Sequence, residues 1–112
     1  DPLCETPYPD GFEAMRPFFA LVHFKDAVRA VPESYCVKVG TGQVGYPALL
    51  RRLAADGYAG WLSMETHYRL DSHLTEEQMR LPGGAGFSAG GAAATAESVA
   101  ALKDILQKEG LL

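Results

Sequence analysis

The strongest periodic signal in the chain is the series Tyr46, Leu49, Leu50, Leu53 and Ala54. Its i, i+3, i+4, i+7, i+8 spacing puts one apolar stripe along a helix. Pro47 suits the first helical turn, and Gly57 suits a left-handed residue past the last one. Arg51, Arg52 and Asp56 then fall on the solvated face. A second stripe, Ala96, Val99, Leu102 and Leu106, predicts a final helix capped by Thr95 and ended by Gly110. Strands are predicted where short apolar runs replace the helical period. One spans Phe18 to Asp26, centred on Ala20-Leu21-Val22-His23-Phe24, and the other spans Trp61 to Glu65. Continuous runs of this length suit parallel strands buried on both faces.

The remaining segments read as connections. Pro2, Pro7 and Pro9 make residues 1–10 an extended loop, after which Asp10 caps a short helix over Gly11 to Arg16 that Pro17 stops. Ala27 to Gly45 reads as a loop containing a short β-prone run, Tyr35 to Val39. Thr66 to Ala94 reads as a long loop, flexible and glycine-rich over about 69–94. Helix, strand, helix, strand, helix is an α/β order, and it implies crossover units on a parallel sheet.

Alternation along a strand sorts its side chains. Leu21, His23 and Lys25 share one face, opposite Val22 and Phe24. Trp61, Ser63 and Glu65 share one face, opposite Leu62 and Met64. Each strand thus carries ionisable groups near its C-terminal end, the end at which parallel α/β folds bind ligands. An imidazole and a carboxylate on one rim suit a hard or borderline divalent metal, and Asp1 would add a second carboxylate. His67 shares the face of Glu65 if that strand continues, whereas His73 lies deeper in the loop with no paired ligand spacing.

Charge and composition narrow the function classes. Fourteen acidic and ten basic groups give a net charge of −4, which disfavours nucleic acid and acidic membrane surfaces as partners. The apolar runs Phe18 to Phe24 and Tyr58 to Met64 are far shorter than the ~18 residues of a membrane span. Two cysteines, Cys4 and Cys36, do not make a disulfide framework, so reduced thiols and a cytoplasmic location are expected.

Gly40-Thr41-Gly42-Gln43-Val44-Gly45 has the G-x-G-x-x-G spacing of a dinucleotide loop, with Glu65 twenty residues beyond Gly45. Pro47 argues against that use. It delays the helix until after the third glycine, whereas a pyrophosphate needs the helix to begin within the glycines. A tight glycine turn is the simpler reading.

Three segments together carry a family resemblance: His23-Phe24-Lys25-Asp26-Ala27, then Val39-Gly40-Thr41-Gly42-Gln43-Val44, then Gly57 to Tyr68 with Trp61-Leu62-Ser63-Met64-Glu65-Thr66-His67 at its heart. In this order they resemble the xylose isomerase-like TIM-barrel superfamily, more narrowly the sugar phosphate isomerase/epimerase proteins, which share their fold with endonuclease IV. Asp1-Pro2 and Tyr8-Pro9-Asp10-Gly11-Phe12 resemble the stretch after that family's sixth strand. The resemblance implies a divalent cation (Mn, Mg, Co or Zn) held at the barrel mouth by two glutamates, an aspartate and a histidine. Carried over, Asp1, His23 and Glu65 are the metal ligands and Glu65 is also a catalytic acid/base. Lys25, Asp26 and His67 are candidate substrate contacts. The first glutamate of the family belongs to an earlier strand, outside this sequence. Cys4 stands where the family commonly has asparagine, and the segment from Cys4 to Tyr8 is short by several residues.

The implied activity is proton transfer next to a carbonyl of a sugar or polyol. An endonuclease IV-like phosphodiesterase is the first alternative, disfavoured by the charge and by the absence of an arginine- and histidine-rich loop before the glycines. A dinucleotide-binding module on Gly40, Gly42 and Gly45 is the second, and a non-catalytic remnant binding a partner through open sheet edges is the third. A full barrel needs ~250 residues, so these 112 residues are expected to be its last two or three β/α units and inactive alone.

Overall fold

The computed structural model describes residues 6–80 and 90–112. Asp1, one of the expected metal ligands, lies outside the described residues. A π-type turn over Pro7–Gly11 leads into α1 (Phe12–Met15) and a 3-10 turn over Arg16–Phe18. Strand β1 (Leu21–Phe24) follows, then β2 (Asp26–Val28), β3 (Tyr35–Val37), α2 (Tyr46–Ala55), β4 (Trp61–Met64), α3 (Glu76–Arg80) and α4 (Gly91–Lys108). β1 and β4 pair in parallel with Leu21 opposite Trp61, Val22 opposite Leu62, His23 opposite Ser63 and Phe24 opposite Met64. β2 and β3 form a separate antiparallel pair. The result is a small mixed α/β structure.

The helix α2 forms where its stripe predicts. Tyr46, Leu49, Leu50 and Leu53 are buried, while Ala54 is exposed. These residues pack with Phe12, Phe24, Val39 and Leu102 into one core. Each fully buried leucine or phenylalanine there contributes roughly 1.5–3 kcal/mol relative to exposure. The outer face of α2 is tied down as well. Arg52 bridges Glu13 at 2.7 Å and Asp56 at 3.1 Å, Arg16 meets Asp56 at 2.8 Å, and the Arg52 guanidinium lies 5.7 Å from the centre of the Phe12 ring. These contacts fix α1 against the C-terminal end of α2.

Several sequence expectations change. β1 is shorter than Phe18 to Asp26, because Arg16–Phe18 close a 3-10 turn around Pro17 and Asp26 opens the separate hairpin. The stretch from Ala27 to Gly45, expected to be a loop, contains most of that hairpin. β1 and β4 are not buried on both faces. Leu21 is 50% exposed and Trp61 82% exposed, because helices cover only the face bearing Phe24. The last helix starts at Gly91, with left-handed Gly90 at its N-cap, so Thr95 sits inside it and caps nothing. Its buried line is Ala94, Ser98 and Leu102, whereas Ala96 is exposed. The expected loop after β4 also holds α3. Among the described residues, no helix is long and apolar enough to cross a membrane.

Candidate functional site

The parallel register brings the ends of β1 and β4 to one rim. Beyond the last pair, the Glu65 N–H donates to the Phe24 carbonyl at 3.1 Å, which continues the ladder by one step. That step puts Glu65 on the same face as His23, as alternation requires. His23 Nδ1 lies 3.3 Å from Glu65 Oε2, and in the tautomer that this contact needs, its N–H donates to the carboxylate. Lys25 Nζ stands 3.9 Å from the same oxygen, and His67 Nε2 stands 3.6 Å from Oε1. Three of the residues expected at the site therefore gather around the carboxylate of a fourth, Glu65.

Their electrostatics differ. The His23 hydrogen bond, aided by Lys25 and His67 and opposed by partial burial, holds the Glu65 carboxyl below the ordinary glutamate range. Glu65 is consequently ionised at neutral pH. Burial and the Lys25 charge push the His67 imidazole down, against the opposing pull of Glu65, so His67 is neutral there. The rim presents one carboxylate, one ammonium and two imidazoles. Both His23 and Glu65 side chains are about half exposed, so the pair is open to a ligand.

The donor geometry bears on the implied cation. Two ligands at ~2.0–2.1 Å from one tetrahedral ion are separated by about 3.3 Å. The His23–Glu65 spacing of 3.3 Å fits two neighbouring positions of such a shell. Among the described residues, no group of three or more His, Cys, Asp or Glu is arranged to hold a metal ion. The pair accordingly fits as part of a shell that needs further donors.

Asp26, expected among the substrate contacts, is only 2% exposed and turns away from this rim. Its Oδ2 accepts the N–H groups of Gly40 and Gly42, both at 2.9 Å. Its Oδ1 accepts those of Ala27 at 3.0 Å and Val44 at 3.3 Å. The carboxylate thus fills an amide nest made by the glycine loop. Gly42 allows this closeness: a Cβ there would overlap the Asp26 carboxylate and lie 2.6 Å from the Ala27 carbonyl. Gly40 and Gly45 have φ of 88° and 80°, a region that favours glycine. The amides that a pyrophosphate would need are donated to Asp26, which removes the physical basis for a dinucleotide loop. Sequence reading missed this partner. The available signal was an acidic residue at a strand end followed by two closely spaced glycines.

One more residue escaped the sequence reading. Tyr46 is 3% exposed, and its hydroxyl both accepts from Lys25 N–H at 2.9 Å and donates to the Lys25 carbonyl at 2.6 Å. Its role as an apolar stripe member was legible, but its hydroxyl contact was not. His73 stacks on Tyr35 with ring centres 4.1 Å apart. Comparison of the chain with models of protein families, with curated proteins and with solved structures finds no match.

Proposed function

We propose that this chain is the C-terminal part of a xylose isomerase-like TIM barrel acting as a divalent-metal-dependent sugar or polyol isomerase or epimerase. The observation that carries the reading is the His23–Glu65 contact of 3.3 Å at the C-terminal rim of two adjacent parallel strands. Exposure of Leu21 and Trp61 on that same strand face supports a larger sheet, since parallel sheets are ordinarily covered on both sides. β1 and β4 also pair only with each other among the described strands, which leaves an outer edge on each.

In this reading His23 and Glu65 would hold the cation together with Asp1 and a glutamate from an earlier strand. When bound, the cation supplies Lewis-acid polarisation of the substrate carbonyl. Glu65 removes or returns the proton on the neighbouring carbon. Its lowered proton affinity keeps it ionised at neutral pH but makes it a weak base, so the reaction depends on acidification of that carbon. Without the cation the His23 ring N–H orients this carboxylate; to share the cation with Glu65 that nitrogen would have to give up its proton, while Lys25 keeps positive charge beside the carboxylate. Neutral His67 offers a hydrogen bond to a substrate hydroxyl.

The fourth donor, a glutamate of an earlier strand, is not part of this sequence, so the chain by itself is expected to be inactive. In a complete barrel containing this segment, with Mn²⁺ present, a reducing sugar or its phosphate incubated in D₂O is expected to gain deuterium beside its carbonyl. NMR or mass spectrometry reads that exchange. Its absence across a panel of aldoses, ketoses and their phosphates would count against the proposal.

A further inference from the structure

We propose that Tyr46 is a positioning residue: its hydroxyl grips the Lys25 peptide and thereby holds the Lys25 ammonium beside Glu65. The functional meaning of this grip rests on the acid/base role proposed above for Glu65. Lys25 occupies the one position between β1 and β2, where the chain leaves the parallel sheet and enters the antiparallel hairpin. Main-chain groups at such a break lose their ladder partners and must find others. A single phenol provides both here, accepting the Lys25 N–H at 2.9 Å and donating to the Lys25 carbonyl at 2.6 Å.

The phenol is itself anchored. Tyr46 opens α2, is buried in the core, and packs its ring against Phe24 with centres 5.0 Å apart. Gly45 turns the chain into the helix with a left-handed φ of 80°, which fixes where the ring enters. On the other side of residue 25, the Asp26 carboxylate is locked by the amides of Gly40, Gly42 and Val44. The backbone is thereby held on both sides of the Lys25 side chain. That side chain reaches the oxygen Oε2 which also faces His23, at 3.9 Å and 3.3 Å respectively. The raised proton affinity of the buried Tyr46 phenol keeps its donor proton in place at neutral pH.

NMR on the isotopically labelled chain tests this without substrate or metal. In the parent chain, the Lys25 ε-methylene should be more ordered than those of Lys103 and Lys108, and it should show an NOE to the Glu65 γ-protons. A Lys25 ε-methylene as mobile as that of Lys103 would overturn the proposal, whether or not any variant folds. Tyr46→Phe keeps the ring and removes only the oxygen. It should speed Lys25 amide hydrogen exchange at least tenfold while leaving Phe24 and Met64 protected. The Lys25–Glu65 NOE should be lost, a change that general loosening of the core would not confine to residue 25. Retention of that NOE and of side-chain order in folded Tyr46→Phe would also overturn it. Because no turnover is read, absence of isomerase activity would refute the function proposed above and leave this result standing.

Discussion

Replacing Asp26 with alanine is expected to destabilise the chain by several kcal/mol, because it strips neutral main-chain donors of a charged acceptor. The carboxylate accepts four main-chain N–H groups and is 2% exposed. Its loss leaves those donors without their acceptor, and each unsatisfied buried donor costs ~1–3 kcal/mol before relaxation. Against a total stability of roughly 5–15 kcal/mol for a typical domain, this loss brings the fold close to its limit. Asp26→Asn should recover only part of the loss, since one oxygen becomes an NH₂ that faces N–H donors. Gly42→Ala should act through the same nest from the opposite side, because the added methyl overlaps the carboxylate. Urea denaturation followed by circular dichroism measures all three. An Asp26→Ala midpoint corresponding to less than 1 kcal/mol of loss would show that the amides find water or other acceptors.

Changing Glu65 to glutamine is expected to lower kcat by about 10²–10⁴-fold in a complete barrel, the usual contribution of a positioned general base. Glutamine preserves the shape and still accepts a hydrogen bond from His23, so the fold and the rim survive. It cannot take a proton. The deuterium-exchange assay separates this loss from product release, since exchange requires only the first proton transfer. The pH dependence has a definite sign. The His23 hydrogen bond and the nearby Lys25 charge lower the proton affinity of Glu65 in the folded chain. Activity that needs the carboxylate therefore persists as pH falls through the ordinary glutamate range and is lost below it. Undiminished exchange in Glu65→Gln would remove Glu65 from the chemistry.

The parts of this structure legible in the sequence are those written in local periodicity. Tyr46, Leu49, Leu50 and Leu53 predict α2 and its buried face because every helical turn returns an apolar side chain to the same side. The alternation of Leu21 with His23 and of Trp61 with Ser63 likewise anticipates which side chains share the rim. The hairpin was not legible, since strands of three residues, Asp26–Val28 and Tyr35–Val37, are too short to show a period. The start of α4 was obscured by composition. Gly90 and Gly91 read as loop, yet the run from Ala92 to Ala94 has high helix propensity and extends the helix back to Gly91.

The site was legible in its members and not in all their duties. His23, Lys25 and Glu65 come together as the strand alternation implies, and His67 joins them from beyond the end of β4 rather than from a continued strand. Asp26 illustrates why sequence position alone misleads. A carboxylate next to a rim lysine looks available to substrate, and its true partners are amides 14 to 18 residues away. Only the return of the glycine loop over the hairpin reveals them. Tyr46 is similar, because an apolar stripe records that a ring is buried but not where its hydroxyl points.

Paramagnetic broadening by Mn²⁺ reports a divalent-cation site on His23 and Glu65 without any substrate. An incomplete shell binds weakly, and this method detects weak binding in the chain as it stands. Small additions of Mn²⁺ should broaden the resonances of His23 and Glu65 first, with His67 and Lys25 next, and Glu65→Gln should abolish the selectivity. Broadening centred on another acidic segment, or none at the rim at millimolar Mn²⁺, would contradict the assignment.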